Sequence, residues 1–111
     1  PTLNLKPENE LLPRIGVYVT RISLDGQAFL NGVTNVGVRP TFGENQLTVE
    51  TFVPNDSVPV DAAFARLDFL YRIRDEMKFD SPDALRKQIA KDVQRAKNFF
   101  RLLRYVEHHP N

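Results

Sequence analysis

The stretch that decides the fold is Pro40-Thr41-Phe42-Gly43, which predicts a turn, followed by Leu47-Thr48-Val49-Glu50-Thr51-Phe52, which predicts a short strand. Side chains alternate between the two faces of a strand, so Thr48, Glu50 and Phe52 share one face. Two interpretations of this face stay open. Glu50 is either an edge-strand residue that limits aggregation beside an exposed Phe, or a base at a partly enclosed opening that takes a proton from a substrate.

Strand signals precede this stretch. Gly16 to Leu24 is rich in Val, Ile, Thr and Tyr, which favour strands, and Asp25-Gly26 supplies the positive dihedral angles of a tight hairpin. Gln27 to Leu30 then predicts the beginning of the return strand. Asn31-Gly32 predicts a bulge or a second bend before a strand at Val33 to Gly37. Because proline lacks an N–H donor, the chain is expected to leave that strand by Pro40.

A strand and a helix are predicted after it. Apolar residues occupy every second position from Ala65 to Ile73, alternating with Arg66, Asp68, Leu70, Arg72 and Arg74, which indicates a long half-buried strand. Ser81-Pro82-Asp83 combines a capping hydroxyl, a proline for the first helical position and an early acid, which together predict a helix start. An apolar stripe at helical spacing follows, made of Leu85, Ile89, Val93, Ala96, Phe100 and Leu103. We therefore expect a mainly β protein, a small barrel with one long amphipathic helix packed on it.

Composition restricts the chemistry. The chain has 111 residues, enough for one domain, with 15 basic and 14 acidic side chains and no cysteine. Balanced charge gives no attraction to nucleic acid or membrane, and no apolar run is long enough for a spanning helix. The lack of cysteine excludes disulfides and thiolate sites and fits a cytoplasmic protein. His108 and His109 are expected in a solvated tail, and the basic residues near them (Arg95, Lys97, Arg101 and Arg104) at a solvated helix end. Catalysis must therefore use carboxylates, hydroxyls, amides or basic groups.

The opening residues offer a weak metal signal. Thr2 and Asn4 share one face of an extended segment, and their oxygens are hard ligands of the kind that Mg²⁺ accepts. The same pattern also describes an ordinary polar strand face. Loops are predicted at Lys6 to Pro13 and at Val53 to Asp61, since both stretches contain prolines and lack a hydrophobic period.

Four stretches in this order resemble the riboflavin kinase family, specifically the kinase module of bacterial bifunctional riboflavin kinase/FAD synthetases. They are Pro1-Thr2-Leu3-Asn4, Asn35-Val36-Gly37-Val38-Arg39-Pro40-Thr41-Phe42, Thr48-Val49-Glu50-Thr51-Phe52 and Arg72-Ile73-Arg74-Asp75-Glu76-Met77-Lys78-Phe79-Asp80-Ser81. The resemblance extends from the first residue to about Phe100. It implies a six-stranded antiparallel Greek-key barrel with a C-terminal helix, in one domain over residues 1–111.

The resemblance also implies a reaction in which ATP and riboflavin give FMN and ADP with Mg²⁺. Thr2 and Asn4 match the pair that engages magnesium and the ATP phosphates, and Glu50 matches the general base toward the ribityl 5′-hydroxyl. Arg74 and Glu76 match a segment beside the flavin. The implied partners are riboflavin, ATP and an upstream adenylyltransferase module that makes FAD. A neutral Thr/Asn pair binds free Mg²⁺ poorly, so the ion is expected to arrive with ATP.

Three departures from the family pattern matter. A Gly-rich lead usually precedes Pro-Thr-x-Asn, and this chain is expected to lack it, with weakened ATP binding as the consequence. The loop at Val53 to Asp61 does not match the Asp-Leu-Tyr-Gly of many members. Phe52 stands where relatives commonly have a histidine, so we expect that position to be chemically dispensable.

Two other functions are consistent with the residues. One is a non-catalytic barrel that binds a flavin or a nucleotide without turnover. The other is a small barrel that contacts protein or RNA, which predicts an exposed aromatic or basic platform. The balanced charge and the lack of an aromatic run argue against the second.

Overall fold

The computed structural model describes residues 2–7, 12–54 and 62–109. Its elements are β1 (Thr2–Leu5), β2 (Gly16–Leu24), β3 (Leu30–Thr41), β4 (Glu44–Phe52), β5 (Ala65–Arg74) and α1 (Pro82–His108). The contacts divide the chain into two compact units, Pro1–Met77 with the sheet and Lys78–Asn111 with the helix. Pro1 and parts of both predicted loops, residues 8–11 and 55–61, lie outside the described residues.

One sheet contains all five described strands, in the order β1-β4-β3-β2-β5. Every pair is antiparallel, and β1 lies beside β4 instead of β2, which is the Greek-key arrangement. The predicted mainly β class and C-terminal helix are confirmed. A closed six-stranded barrel is not: within the described residues the sheet has five strands, and its edges β1 and β5 do not pair with each other. Closure needs every edge to be hydrogen-bonded.

The predicted break at Asn31-Gly32 is wrong, because β3 runs without interruption from Leu30 to Thr41. Gly32 pairs with Thr20 in regular register. A Cβ at Gly32 would lie 3.1 Å from both Thr20 Oγ1 and Thr51 Cγ2. The glycine therefore permits close packing inside a strand and does not bend it.

The expected exit of the chain before Pro40 is also wrong, since Pro40 lies within β3 and pairs with Asn45. The turn itself consists of Phe42 and Gly43, with φ values of 46° and 82°. Strand β2 pairs with β3 only as far as Val36. The missing N–H of Pro40 therefore costs no bond on that side, because proline is tolerated where a strand has an unpaired edge.

The Asp25-Gly26 turn is present, with φ values of 48° and 74° and with Gln27 N donating to Leu24 O at 2.9 Å. The predicted return strand begins only at Leu30, which pairs with Ile22. Asp25 is tied to the segment before β5, because its carboxylate accepts the Phe64 N–H at 2.8 Å and its own N–H donates to Phe64 O. The connection from β2 to β3 is therefore longer than the tight hairpin that we expected, and these bonds tie it to a distant segment.

One hydrophobic cluster of the sheet unit is built on Ile22, Leu24 and Val53, which are 0%, 5% and 0% exposed. Partly buried side chains surround it, namely Leu3, Leu5, Leu30, Ala62 and Leu67. Each fully buried aliphatic side chain contributes about 1.5–3 kcal/mol. Three buried threonines, Thr20, Thr34 and Thr51, form a hydroxyl ladder across β2, β3 and β4, with Oγ1–Oγ1 distances of 2.8 Å.

The helix begins as predicted. Ser81 is the N-cap, its Oγ accepts the Ala84 N–H at 3.1 Å, and Pro82 stands at the first helical position. Of the predicted apolar stripe, Ala96 and Phe100 are buried, whereas Leu85 is 42% exposed. The histidines and the basic residues near the end of the helix are exposed, as expected. No helix in the described ranges is long and apolar enough to cross a membrane.

Candidate active site

The register between β1 and β4 brings the opening residues to Glu50. Asn4 lies directly opposite Glu50, and Thr2 lies opposite Phe52. Opposed residues of an antiparallel pair share a face, with Cβ atoms about 4.5–5.5 Å apart. Thr2, Asn4 and Glu50 are therefore on one face of adjoining strands. Thr2 and Asn4 are exposed, so their oxygens are accessible to a ligand.

Glu50 has a cationic neighbour that the sequence analysis did not select. Arg39 Nη2 donates to Glu50 Oε1 at 3.2 Å, and the two side chains are 64% and 32% exposed, respectively. The guanidinium holds one carboxylate oxygen through a single hydrogen bond. An exposed pair of this kind contributes about 0–1 kcal/mol to stability, so its importance lies in the charge it places at the site.

Asn35 lies opposite Glu50 on the other side, in β3. The row Asn4–Glu50–Asn35 therefore crosses three adjacent strands. Asn35 Nδ2 donates to Glu76 Oε2 at 3.1 Å, whereas its buried Oδ1 accepts no hydrogen bond from the residues that the structure describes.

Gly37 provides the space for Glu76. A Cβ at Gly37 would overlap Glu76 Oε2 and would lie 2.9 Å from its Cδ. Gly37 belongs to the same face of β3 as Asn35 and Arg39, because side-chain direction repeats every second residue. The Glu76 carboxylate therefore lies over the backbone of β3 and beside the row that contains Glu50.

Arg74 lies in β5, with two strands between it and the strand of Glu50. It pairs with Val17 in β2, which in turn pairs with Asn35, so two strands separate β4 from β5. Arg74 Nη1 donates to Asp75 O at 2.9 Å. The structure thus joins Glu76 to the row of Glu50 through Asn35, and it puts Arg74 at the end of that row in the edge strand β5.

A second cluster holds the chain after β5. Arg72 Nη2 donates to Asp75 Oδ1 at 2.6 Å and to Ile15 O at 2.8 Å. The hydrogen bond from Arg72 lowers the pKa of the Asp75 carboxyl, and the same bond raises the pKa of Arg72. A Cβ at Gly16 would lie 2.7 Å from Arg72 Nε, so the guanidinium packs on a bare backbone. This cluster fixes the start of the segment that leads to Glu76.

A cleft of about 750 Å³ adjoins β1 and the segment from Ala62 to Phe69. Leu5, Leu24 and Leu67 form part of its apolar wall, and Asn4 reaches it from the edge of β1. Its volume lies within the range of about 300–1,000 Å³ that is usual for small-molecule sites. Asn4 therefore lines this cleft and also lies opposite Glu50.

The site offers hard oxygen atoms as potential metal ligands and one guanidinium as a hydrogen-bond donor. Among the described residues, no cluster of three or more His, Cys, Asp or Glu side chains could hold a metal ion. The hydroxyl of Thr2 and the amide oxygen of Asn4 fit a divalent ion that is already bound to phosphate, because such an ion needs few further protein ligands. A carboxylate beside them can accept a proton from a hydroxyl group.

Sequence reasoning missed Asn35 and Arg39 as site residues. Both lie in a quoted motif, but the strand was expected to end near Gly37. Had β3 been extended to Thr41, the period of two would have placed Asn35, Gly37 and Arg39 on one face. Their position opposite Glu50 depends on strand register, which the sequence does not give.

Comparison with known proteins shows the family to which the chain is similar. The family model for riboflavin kinase (Flavokinase) matches residues 1–100. A bifunctional riboflavin kinase/FMN adenylyltransferase of Haemophilus influenzae is 36% identical over 100 residues, which are 90% of this chain and 32% of that protein. Its Bacillus subtilis counterpart is 35% identical over 108 residues, 94% of this chain and 34% of that protein. The chain thus spans about a third of the length of these relatives.

Two further similarities extend the comparison. An RNA-binding riboflavin kinase of Bacillus subtilis is 36% identical over 104 residues, covering 93% of this chain and 44% of that protein. A crystal structure described as a macrolide-efflux protein from Streptococcus pneumoniae superimposes with a TM-score of 0.79 at 29% identity, covering 88% of this chain and 32% of that chain. The fold described above is therefore shared with a solved structure.

Proposed function

The chain belongs to the riboflavin kinase family, and we propose that it transfers the γ-phosphoryl group of ATP to the ribityl 5′-hydroxyl of riboflavin. The products are FMN and ADP. The observation that supports this best is the register that puts Asn4 directly opposite Glu50. A carboxylate and the side chains proposed to hold Mg²⁺ and the ATP phosphates then lie on one face of adjoining strands, where two substrates can meet.

In the proposed mechanism, Glu50 accepts the proton of the ribityl hydroxyl as its oxygen attacks the γ-phosphorus. An O–P bond forms to the ribityl oxygen, and the bond from the γ-phosphorus to the β,γ-bridging oxygen breaks, which releases ADP. Thr2 and Asn4 orient the phosphates. Phosphoryl transfer depends mainly on positioning and charge neutralisation, so the protein needs no covalent intermediate.

Thr2 and Asn4 are also the residues that would hold Mg²⁺. Their exposed hard oxygens fit an ion that brings most of its ligands from phosphate and water. The bound ion would neutralise charge on the transferred phosphoryl group. The protein itself would contribute two neutral oxygen ligands next to the base.

Arg74 and Glu76 are proposed to lie on the flavin side of the site, as the family resemblance implies. The bond from Asn35 to Glu76 supports this for Glu76, because it links that carboxylate to the row containing the base. For Arg74 the support is its pairing with Val17, which pairs with Asn35 in the same row, with two strands between β5 and β4.

We also propose that residues 1–111 form a single domain with the six-stranded barrel of the family. The Greek-key order and the likeness to a solved structure support this proposal. Closing the barrel requires one more strand at the β1 or β5 edge. The test is an experimental structure of a longer natural protein that contains this chain.

The names of the relatives suggest a larger protein. Bifunctional riboflavin kinase/FMN adenylyltransferases match 90% or more of this chain over about a third of their own length. We propose that this chain is the kinase module of such a protein and that an adenylyltransferase module converts FMN to FAD. The cytoplasmic location stays a prediction.

The decisive experiment incubates the chain with riboflavin, ATP and Mg²⁺ and separates the flavins by chromatography. FMN should appear only when all three are present. Glu50→Gln should lower kcat by about 10²- to 10⁴-fold, the usual contribution of a positioned base, while riboflavin binding persists. Glu44→Gln is the matched control, since Glu44 is an exposed glutamate at the far end of the same strand.

Two outcomes would contradict the proposal. Turnover by Glu50→Gln at the rate of the unaltered chain would exclude Glu50 as the base. Riboflavin fluorescence quenching without FMN formation would favour the alternative, a non-catalytic flavin-binding barrel.

A further inference from the structure

Resting on the proposed function, we propose that Arg39 is a further catalytic residue, which exchanges its ion pair with Glu50 for the transferred phosphoryl group. Arg39 Nη2 donates to Glu50 Oε1 at 3.2 Å, so the guanidinium lies beside the proposed base. Asn4, a proposed phosphate-binding residue, lies opposite the same glutamate. Arg39 is therefore next to the position where acceptor hydroxyl and phosphate have to meet.

Charge supports this role. Thr2 and Asn4 are neutral, and Glu50 and Glu76 place two carboxylates near the row. A triphosphate brings several more negative charges, and phosphoryl transfer requires their neutralisation. Arg39 supplies a positive charge from the protein at this point. Arginine also suits the task because its planar fork of donors matches phosphate oxygens.

The geometry permits the exchange. Arg39 and Glu50 lie on the same face of neighbouring strands, with Gly37 between Arg39 and the residue opposite Glu50, Asn35. The pair is a single hydrogen bond between side chains that are 64% and 32% exposed, respectively, and such pairs are weak. One bond to Glu50 uses one of the five N–H donors of a guanidinium. An arriving phosphate can therefore take over the guanidinium at little cost.

The exchange has a consequence for the base. While Arg39 holds Oε1, that carboxylate oxygen is occupied by a hydrogen bond and is less available to a substrate proton. Once the guanidinium moves to the phosphate, both oxygens of Glu50 can face the ribityl hydroxyl. Arg39 forms no covalent bond and passes no proton in this step, because it only changes the anion that it neutralises.

The test compares Arg39→Ala and Arg39→Lys with Arg86→Ala in the intact chain. Arg86 is the matched control because it is also an exposed arginine, at 73%, paired with an acid, Asp83 in the first turn of α1. Calorimetry measures binding of ADP and of the β,γ-methylene analogue of ATP with Mg²⁺. Chromatography of the flavins measures kcat, with and without added methylguanidinium.

We expect Arg39→Ala to weaken binding of the ATP analogue by about 10-fold while ADP binding changes by less than about 2-fold, because the contact is to the γ-phosphate. The kcat should fall by about 10²-fold, as when one donor to a developing charge is removed. Arg39→Lys should be intermediate, and methylguanidinium should restore part of the activity of Arg39→Ala. Arg86→Ala should behave like the unaltered chain.

Equal effects on ADP and the ATP analogue, or values like those of Arg86→Ala, would overturn the proposal. A loss of kcat without selective loss of the ATP analogue would also overturn it and leave Arg39 as a positioning residue for Glu50. If the unaltered chain makes no FMN, the proposed function fails. The affinities for ADP and the ATP analogue would still show whether Arg39 recognises the γ-phosphate. If the unaltered chain binds neither nucleotide, both proposals fail.

Discussion

The substitution Gly37→Ala should destabilise the protein while the Glu76 side chain is present and stabilise it once that side chain is truncated to alanine. An added Cβ would overlap Glu76 Oε2 and lie 2.9 Å from Cδ, so the carboxylate would have to move. That movement would break the 3.1 Å bond from Asn35 Nδ2 to Glu76. The clash involves the mobile end of a side chain, so the main cost is the lost hydrogen bond and not backbone strain.

The magnitude follows from two opposing terms. A hydrogen bond to a charged group contributes about 1.5–3 kcal/mol, and the exposed position of this one favours the lower end. Replacing a glycine inside a strand by alanine returns about 0.5–1 kcal/mol of backbone entropy. The net loss in free energy of unfolding should therefore be about 1 kcal/mol. In the Glu76→Ala background the first term is absent, so Gly37→Ala should stabilise the protein by about 0.5–1 kcal/mol.

A double-mutant cycle measures this change of sign. Urea denaturation of the unaltered chain, both single variants and the double variant gives the coupling energy, provided that the m-values agree. Glu76→Gln is the matched control, because glutamine keeps the shape and an acceptor oxygen, so Gly37→Ala should still destabilise that variant. An equal loss with and without Glu76 would refute the reasoning and show that Gly37 is needed for its backbone alone.

Other predictions concern stability. The hydrogen bond from Arg72 lowers the pKa of Asp75 below its ordinary 3.8. The stability that this bond adds is therefore present above about pH 3.8 and is lost as the pH falls through the pKa of the folded state. Urea midpoints should show that Asp75→Asn costs more stability at pH 7 than at pH 3. Thr34→Val breaks the middle of the hydroxyl ladder and should cost about 1–3 kcal/mol in urea denaturation, with Thr34→Ser as the milder control. Phe42→Asn should raise stability by about 0.5–1 kcal/mol, because the exposed Phe42 has φ 46° and Asn-Gly suits this turn; a lower melting temperature would contradict it.

Several local features were predictable because short-range chemistry decides them. The strands at Gly16–Leu24 and Ala65–Arg74 follow from β-branched residues and a period of two. Ser81 and Pro82 specify the start of the helix through a cap and a fixed φ, which need no tertiary contact. The errors at Asn31-Gly32 and Pro40 have one cause. Whether glycine or proline interrupts a strand depends on the neighbouring strand, which the local sequence does not describe.

The candidate site divides in the same way. The sequence determined that Thr48, Glu50 and Phe52 share a face and that Thr2 and Asn4 share another, since alternation is a property of any extended chain. Only the tertiary structure decided that these two faces are one, by pairing Asn4 with Glu50. Only the structure added Asn35 and Arg39. Strand register decides this because a shift of one residue would turn Asn4 to the opposite face of the sheet. The packing of the whole sheet, and not the local sequence, selects the register.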